Sequence, residues 1–187
     1  YNSAVLGKNL YEEEYGEKDI YVFNSRSASV GETLIGLKIA ECEEKGMSFQ
    51  EVIETVESYI EEQHTYFVLE TLDTLKKNGR LKGLKAVVAT ALNIKPVMGS
   101  TPEGSIQQLS QARGIKKGLA KMLDEVSANM KNTQEKILAI SHCNCEERAK
   151  AVRDMLLERT SFKDVIILDT AGISSMYAAD GGVIVVV

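Results

Sequence analysis

Short apolar runs alternate along this chain with longer stretches that are apolar on one side only. Ile20-Tyr21-Val22-Phe23, Tyr66-Phe67-Val68-Leu69, Lys136 to Ser141, Val165-Ile166-Ile167-Leu168 and Val183 to Val187 are rich in β-branched and aromatic residues and predict buried strands. Pro96-Val97-Met98 predicts a further strand, turning at Thr101-Pro102-Glu103-Gly104 into a hairpin partner from Ser105 to Leu109. Between the strands lie helical patterns. Residues 3–15 read as a polar helix that stops near Gly16. A second helix starts near Ser29, carries Leu34, Leu37, Ile39 and Ala40, and ends at Gly46. Ser48 predicts the N-cap of a third, with Glu51 completing a capping box ahead of Val52, Ile53, Val56 and Ile60. Two short helices over 71–77 and 83–91 are split by Asn78-Gly79, a longer one covers 112–128, and another runs from Glu146 to Arg159, opened by Asn144 or Cys145. Strands alternating with helices define an α/β fold.

Charge divides this fold in two. Residues 1–70 hold 15 acidic and 5 basic side chains, a net of -10, whereas residues 76–121 hold ten basic side chains against Glu103 alone, a net of +9. We place a boundary there: 1–64 as the remainder of an N-terminal α/β domain and 65–187 as a C-terminal α/β domain of sheet plus helices. The first block has one clear strand. One strand cannot satisfy its own backbone edges, so its sheet partners are expected upstream of Tyr1. The basic stretch attracts anions unless its lysines merely solvate a face. No apolar run reaches the length of a membrane span, and the first residues show no secretion signal. Three cysteines without such a signal fit a cytoplasmic setting. Cys143-Asn144-Cys145 beside His142 lacks the second cluster that zinc requires, so no metal or other cofactor is expected.

Several segments carry candidate chemistry. Asn24-Ser25-Arg26-Ser27-Ala28-Ser29 follows a strand and precedes a helix, where hydroxyls and helix N–H groups converge on ligands; Ser27 or Ser29 could equally cap the helix. Arg80, after the Asn78-Gly79 turn, suits a carboxylate or phosphate, or else is a surface arginine near a helix end. Arg113 is expected at a helix start, where a cation opposes the helix dipole and therefore suggests a functional reason. The tail Ile173 to Gly182 combines hydroxyls, Tyr177 and the pair Gly181-Gly182, read either as close backbone approach to a ligand or as a tight turn. Phosphate-loop, G-x-S-x-G and H-E-x-x-H patterns do not occur, which argues against an enzyme acting alone.

Six stretches in order resemble the DegV family: Tyr1-Asn2-Ser3-Ala4, Asn24 to Gly31, Tyr66 to Leu72, Asn78-Gly79-Arg80-Leu81, Leu92-Asn93-Ile94-Lys95-Pro96 and Ala112-Arg113-Gly114. The resemblance covers nearly the whole chain. It implies a two-domain α/β protein that holds a long-chain fatty acid between its domains and presents the carboxylate to a fatty acid kinase catalytic subunit for phospholipid metabolism. By the same resemblance Arg80 and Arg113 lie near the head group or the kinase contact. Two departures stand out. The family's opening strand, its Thr-Ser motif and its Ser-Gly-Thr would fall upstream of Tyr1. Tyr177 and Ala178-Ala179-Asp180-Gly181 occupy the place of a histidine and a Thr-Gly-Pro-Gly stretch. A phenol donates a hydrogen bond but offers no cation at neutral pH, so either Arg80 supplies the charge or the ligand differs.

The expectation is therefore a lipid-binding protein rather than a catalyst. The head-group set is Ser27, Ser29, Arg80, Arg113, Tyr177, Gly181 and Gly182, and the apolar lining is Phe67, Leu69, Leu72, Val88, Leu92 and Ile94. The alternatives are a phosphotransfer enzyme, for which no nucleotide cradle is evident, and an anion-binding interaction module. A nucleic-acid partner is disfavoured by the overall charge of -5 and the scarcity of aromatics among the lysines.

Overall fold

The computed structural model describes residues 1–81 and 93–187. In chain order the elements are α1 (Asn2–Tyr15), α2 (Val30–Glu44), α3 (Phe49–Glu62), β1 (Thr65–Val68), α4 (Asp73–Lys77), β2 (Ile94–Ser100), β3 (Ile106–Arg113), α5 (Ile115–Asn129), β4 (Ile137–His142), α6 (Glu146–Leu157), β5 (Asp164–Asp169), α7 (Gly172–Ala178) and β6 (Val183–Val186). The strands form one mixed sheet in the order β3-β2-β1-β6-β4-β5, with β4 and β5 parallel and the other pairs antiparallel. All of these strands follow residue 64. The first block contributes helices to the sheet, not strands.

Alternation along each strand sorts the core onto two faces. On one face Tyr66, Val68, Val97, Leu138, Ile140, Val183 and Val185 meet Leu119, Met122, Leu123 and Val126 of α5 and Val152 and Leu156 of α6. On the other face α2 lays Val30 and Leu34 over Ala139 and Val186. Outside α2 sits α3, joined to it through Ile35, Cys42, Val56 and Ile60. Burial from both sides explains why all four residues of β1 are buried and why the strand reads as a continuous apolar run.

The registers gather the strand ends. Val68 lies opposite Val183, and His142 lies opposite both Val183 and Asp169. Ile94 lies opposite Arg113. One end of the sheet therefore collects the carboxyl ends of β1, β3, β4 and β5 and the amino ends of β2 and β6. Ligands of α/β sheets bind outside strand carboxyl ends, and α4, α7 and the Gly181-Gly182 turn cluster here.

Ile20 to Phe23 joins no ladder among the described residues, and the partners expected for it upstream of Tyr1 are not among those residues. Instead Phe23 packs against the α2–α3 cluster and Tyr21 Oη donates to Glu57 Oε1 at 2.9 Å. Arg113 ends β3 rather than starting a helix, since Gly114, at φ 82°, breaks the strand and α5 begins at Ile115. The tail is not all turn: Gly172–Ala178 forms α7, and the turn is confined to the residues after it. The helix expected over 83–91 lies outside the described residues.

Candidate functional site

The loop Asn24–Ser29 folds over the β1–β6–β4 face. Ser29 is the N-cap of α2, yet its side chain accepts no capping bond and its backbone sits at φ 58°. Its hydroxyl turns to Ser141 Oγ, 3.0 Å away on β4. Ser27 Oγ lies 2.6 Å from Thr65 Oγ1 on β1. Neither serine acts as a helix cap; both pin the loop to the sheet. A pair of hydroxyls uses one proton between them, so each pair keeps a second O–H and free lone pairs for another partner. Gly31 allows this approach, because a Cβ there would sit 2.1 Å from Ser27 Oγ.

Next to these hydroxyls the same sheet face carries an apolar cluster of Phe67, Leu69, Leu75, Met98, Cys143 and Ala178, with Leu72, Leu81, Ile106, Tyr177 and Ile184 packed around it. Phe67, Leu69 and Leu72 of the expected lining are thus brought together. Ile94 is half-buried and, by alternation from Met98, points to the same face of β2. Val88 and Leu92 lie outside the described residues.

Above the cluster, α4 ends in a Schellman arrangement. Gly79 takes φ 67°, and the Arg80 N–H donates to the Leu75 carbonyl at 2.9 Å. That turn presents Asn78, whose Nδ2 donates to Tyr177 Oη at 3.2 Å. Tyr177 and Arg80, 97 positions apart in sequence, therefore share one rim. Among the described residues no carboxylate lies within ion-pair range of Arg80 or Arg113. Arg113 is exposed at the same end of the sheet, but two strands out from β1 on the β3 edge.

Gly181 and Gly182 are buried and their missing side chains are explained by this chain's own atoms. A Cβ on Gly181 would meet Arg148 Nη1 at 2.9 Å and Glu70 Cγ at 3.0 Å; one on Gly182 would strike the Ala178 carbonyl oxygen at 2.3 Å. Behind them Glu70 Oε2 pairs with Lys95 Nζ at 2.8 Å and Glu70 Oε1 with Arg148 Nη1 at 3.0 Å. Burial pushes the Glu70 pKa up, but the two cations outweigh it and hold the carboxyl below its ordinary value. His142 is buried with Nδ1 3.2 Å from Asp169 Oδ1. No group of three metal-ligating side chains gathers among the described residues. A separate cleft of about 210 Å³, lined by Arg26, His64, Thr65, Ser100 and Asn129 among others, opens at the opposite end of β1 and meets this site at Arg26 and Thr65.

Sequence reasoning missed Thr65, Ser141, Asn78, Glu70 and Arg148. For Thr65 and Ser141 a signal existed, namely a small hydroxyl inside or beside an apolar strand run. Nothing local marks the Glu70–Arg148 pairing.

Known proteins match this chain over nearly its whole length. A DegV domain-containing protein of Streptococcus pneumoniae is 34% identical over 185 residues, which are 98% of this chain and 65% of that protein. A DegV family protein from Ruminococcus gnavus, solved with vaccenic acid, is 69% identical with a TM-score of 0.96; it covers all of this chain, which spans 66% of it. The Fatty Acid Kinase (Fak) B3 protein of Streptococcus pneumoniae, loaded with linoleic acid, is 33% identical with a TM-score of 0.87, over 99% of this chain and 65% of that one. The chain thus spans about 65% of the length of the curated relative it matches. A model of the DegV family, described as uncharacterised proteins, matches residues 1–187, and with this sheet, rim and set of relatives in place the chain belongs to the DegV family.

Proposed function

We propose that this chain forms the larger part of a long-chain fatty-acid-binding protein, cytoplasmic in setting, that offers the acyl carboxylate to a kinase subunit and does no chemistry itself. The observation that carries the reading is the apolar cluster of Phe67, Leu69, Leu72 and Met98 set between the Ser27–Thr65 and Ser29–Ser141 hydroxyls and the rim of Asn78, Arg80 and Tyr177. Relatives at 69% and 33% identity, described with vaccenic and linoleic acid, support it. Each buried methylene contributes about 0.8 kcal/mol, so the tail supplies most of the affinity and the polar groups set its direction. Ile94 extends the lining in this reading. Arg80 supplies the cation, Tyr177 a neutral donor, and Gly181 and Gly182 shape the backbone behind them. Arg113, exposed on the β3 edge at the same end, is assigned to the kinase contact. The division at residue 65 belongs to the same reading: every described strand follows it, and α1 and Ile20–Phe23 take no part in the sheet.

Solvent extraction of the purified protein followed by mass spectrometry is expected to release a fatty acid, and the stripped protein is expected to bind added palmitate. Protein that carries no acyl chain and ignores palmitate would remove the proposal. ATP consumption by the protein alone would favour an enzyme instead.

A further inference from the structure

Glu70 sits at the centre of a connected set of contacts behind the rim, not in it. Its carboxylate is shared between Lys95 Nζ at 2.8 Å and Arg148 Nη1 at 3.0 Å, and Lys95 Nζ also donates to the Glu70 carbonyl at 2.8 Å. Arg148 Nη1 in turn donates to the Gly181 carbonyl. The Gly181 N–H donates to the Cys143 carbonyl at 2.8 Å, and the Cys143 N–H to the Gly182 carbonyl at 3.0 Å. Gly182 packs directly beneath the Ala178 carbonyl and against Leu69, the neighbour of Glu70. The turn so fixed ends α7 at Ala178, one residue past Tyr177. The path from Glu70 to Tyr177 is therefore short: carboxylate, guanidinium, turn carbonyl, last turn of α7. Glycine is favoured at 181 because the backbone takes φ 82° there, and a Cβ would also crowd the guanidinium and the Glu70 Cγ.

We infer that Glu70, acting through Arg148 and the Gly181–Gly182 turn, is a positioning residue that sets Tyr177 against Asn78 and so fixes how the rim holds an acyl head group. The inference rests on the reading that Tyr177 meets that head group. A hydrogen bond to a carboxylate is stronger and more direction-dependent than one to a neutral hydroxyl. Misplacing the phenol should therefore weaken an acid more than the matching alcohol, whereas loosening the apolar cluster should weaken both.

The test measures binding of vaccenic acid and of the corresponding alcohol to the wild-type protein, Glu70→Gln, Tyr177→Phe and the double variant. Glu70→Gln is expected to weaken the acid by about tenfold and leave the alcohol within about twofold, and the double variant should lose no more than the worse single. Equal losses on both ligands, or additive losses in the double variant, would overturn the inference while leaving the role of Tyr177 intact. If Tyr177→Phe spares the acid, Tyr177 does not meet the head group and the inference falls with that assignment. Should Glu70→Gln melt at the assay temperature, Arg148→Lys is read the same way, since it keeps a cation beside Glu70 but shortens the reach to the Gly181 carbonyl.

Discussion

At the scale of single residues, glycine shows how one letter serves different physical ends. Gly182 lies where a Cβ would approach the Ala178 carbonyl oxygen to 2.3 Å and Leu69 Cδ2 to 2.9 Å, and the first of these is backbone that cannot swing aside. Gly182→Ala is expected to destabilise the protein by about 1–3 kcal/mol, read as a lower midpoint in urea. Gly7, inside α1, has nothing within 4 Å of its ideal Cβ. Gly7→Ala should raise stability by up to about 1 kcal/mol in the same titration, because alanine loses less backbone entropy in a helix. In the sequence the paired glycines fit either room for a ligand or a tight turn. Arg148, Glu70, Leu69 and Ala178 fill that space; Ala178 is local, but nothing in the order of residues 178–182 announces the other three, from 33 to more than 100 positions away.

At the scale of elements, legibility follows how local the stabilising chemistry is. The Ser48–Glu51 box is contained in four residues and forms as expected, with the Glu51 N–H donating to Ser48 Oγ at 3.4 Å and the Ser48 N–H to Glu51 Oε2 at 2.8 Å. Ser48→Ala is expected to cost about 1 kcal/mol and to lower the thermal midpoint, and a midpoint unchanged within error would show that α3 is held by its packing on α2 alone. Ser29 looked equally local and is not. It occupies the N-cap position, but its hydroxyl bonds to Ser141, 112 residues on. The same distance in sequence hides the Ser27–Thr65 pair, 38 residues apart. Ile20–Phe23 shows a complementary limit. Its apolar, β-branched composition fits a strand, but a ladder needs a second edge, and the edge expected upstream of Tyr1 is not among the described residues. Tyr66–Val68 has the same kind of composition and does pair, between β2 and β6.

At the scale of the whole molecule, titration couples the acidic helices and the buried sheet to a single stability curve. Glu41 on α2 accepts from Lys45 and Lys38, which hold its carboxyl at about 2. Glu70 is held below its ordinary value by Lys95 and Arg148 against the opposing effect of burial. For such depressed carboxylates the stabilisation is fully present above the unfolded value of about 4.5 and is lost as pH falls through the folded value. His64 adds to the same limb: burial, reinforced by Lys136, lowers its pKa, so the unfolded chain takes up that proton first as pH drops below 6.5. At the alkaline end the sign reverses. Burial raises the Tyr66 phenol to about 12, so its contribution is complete below 10 and disappears as pH climbs through 12. The expected profile of urea midpoint against pH is a plateau between about 7 and 10 with two falling limbs. The Glu41 share of the acid limb is about 1 kcal/mol, because a third of its side chain is exposed and solvent screens the pairs. Glu41→Gln should make the limb between about 4.5 and 2 shallower, and Tyr66→Phe should shrink the decline between 10 and 12, to which the half-buried Tyr59 phenol also contributes, while leaving the acid limb in place. An acid limb indifferent to Glu41→Gln would mean that its lysine partners gain as much from water as from the carboxylate, and the stability of the α2 face would then rest on the packing of Val30, Leu34, Ile35 and Cys42.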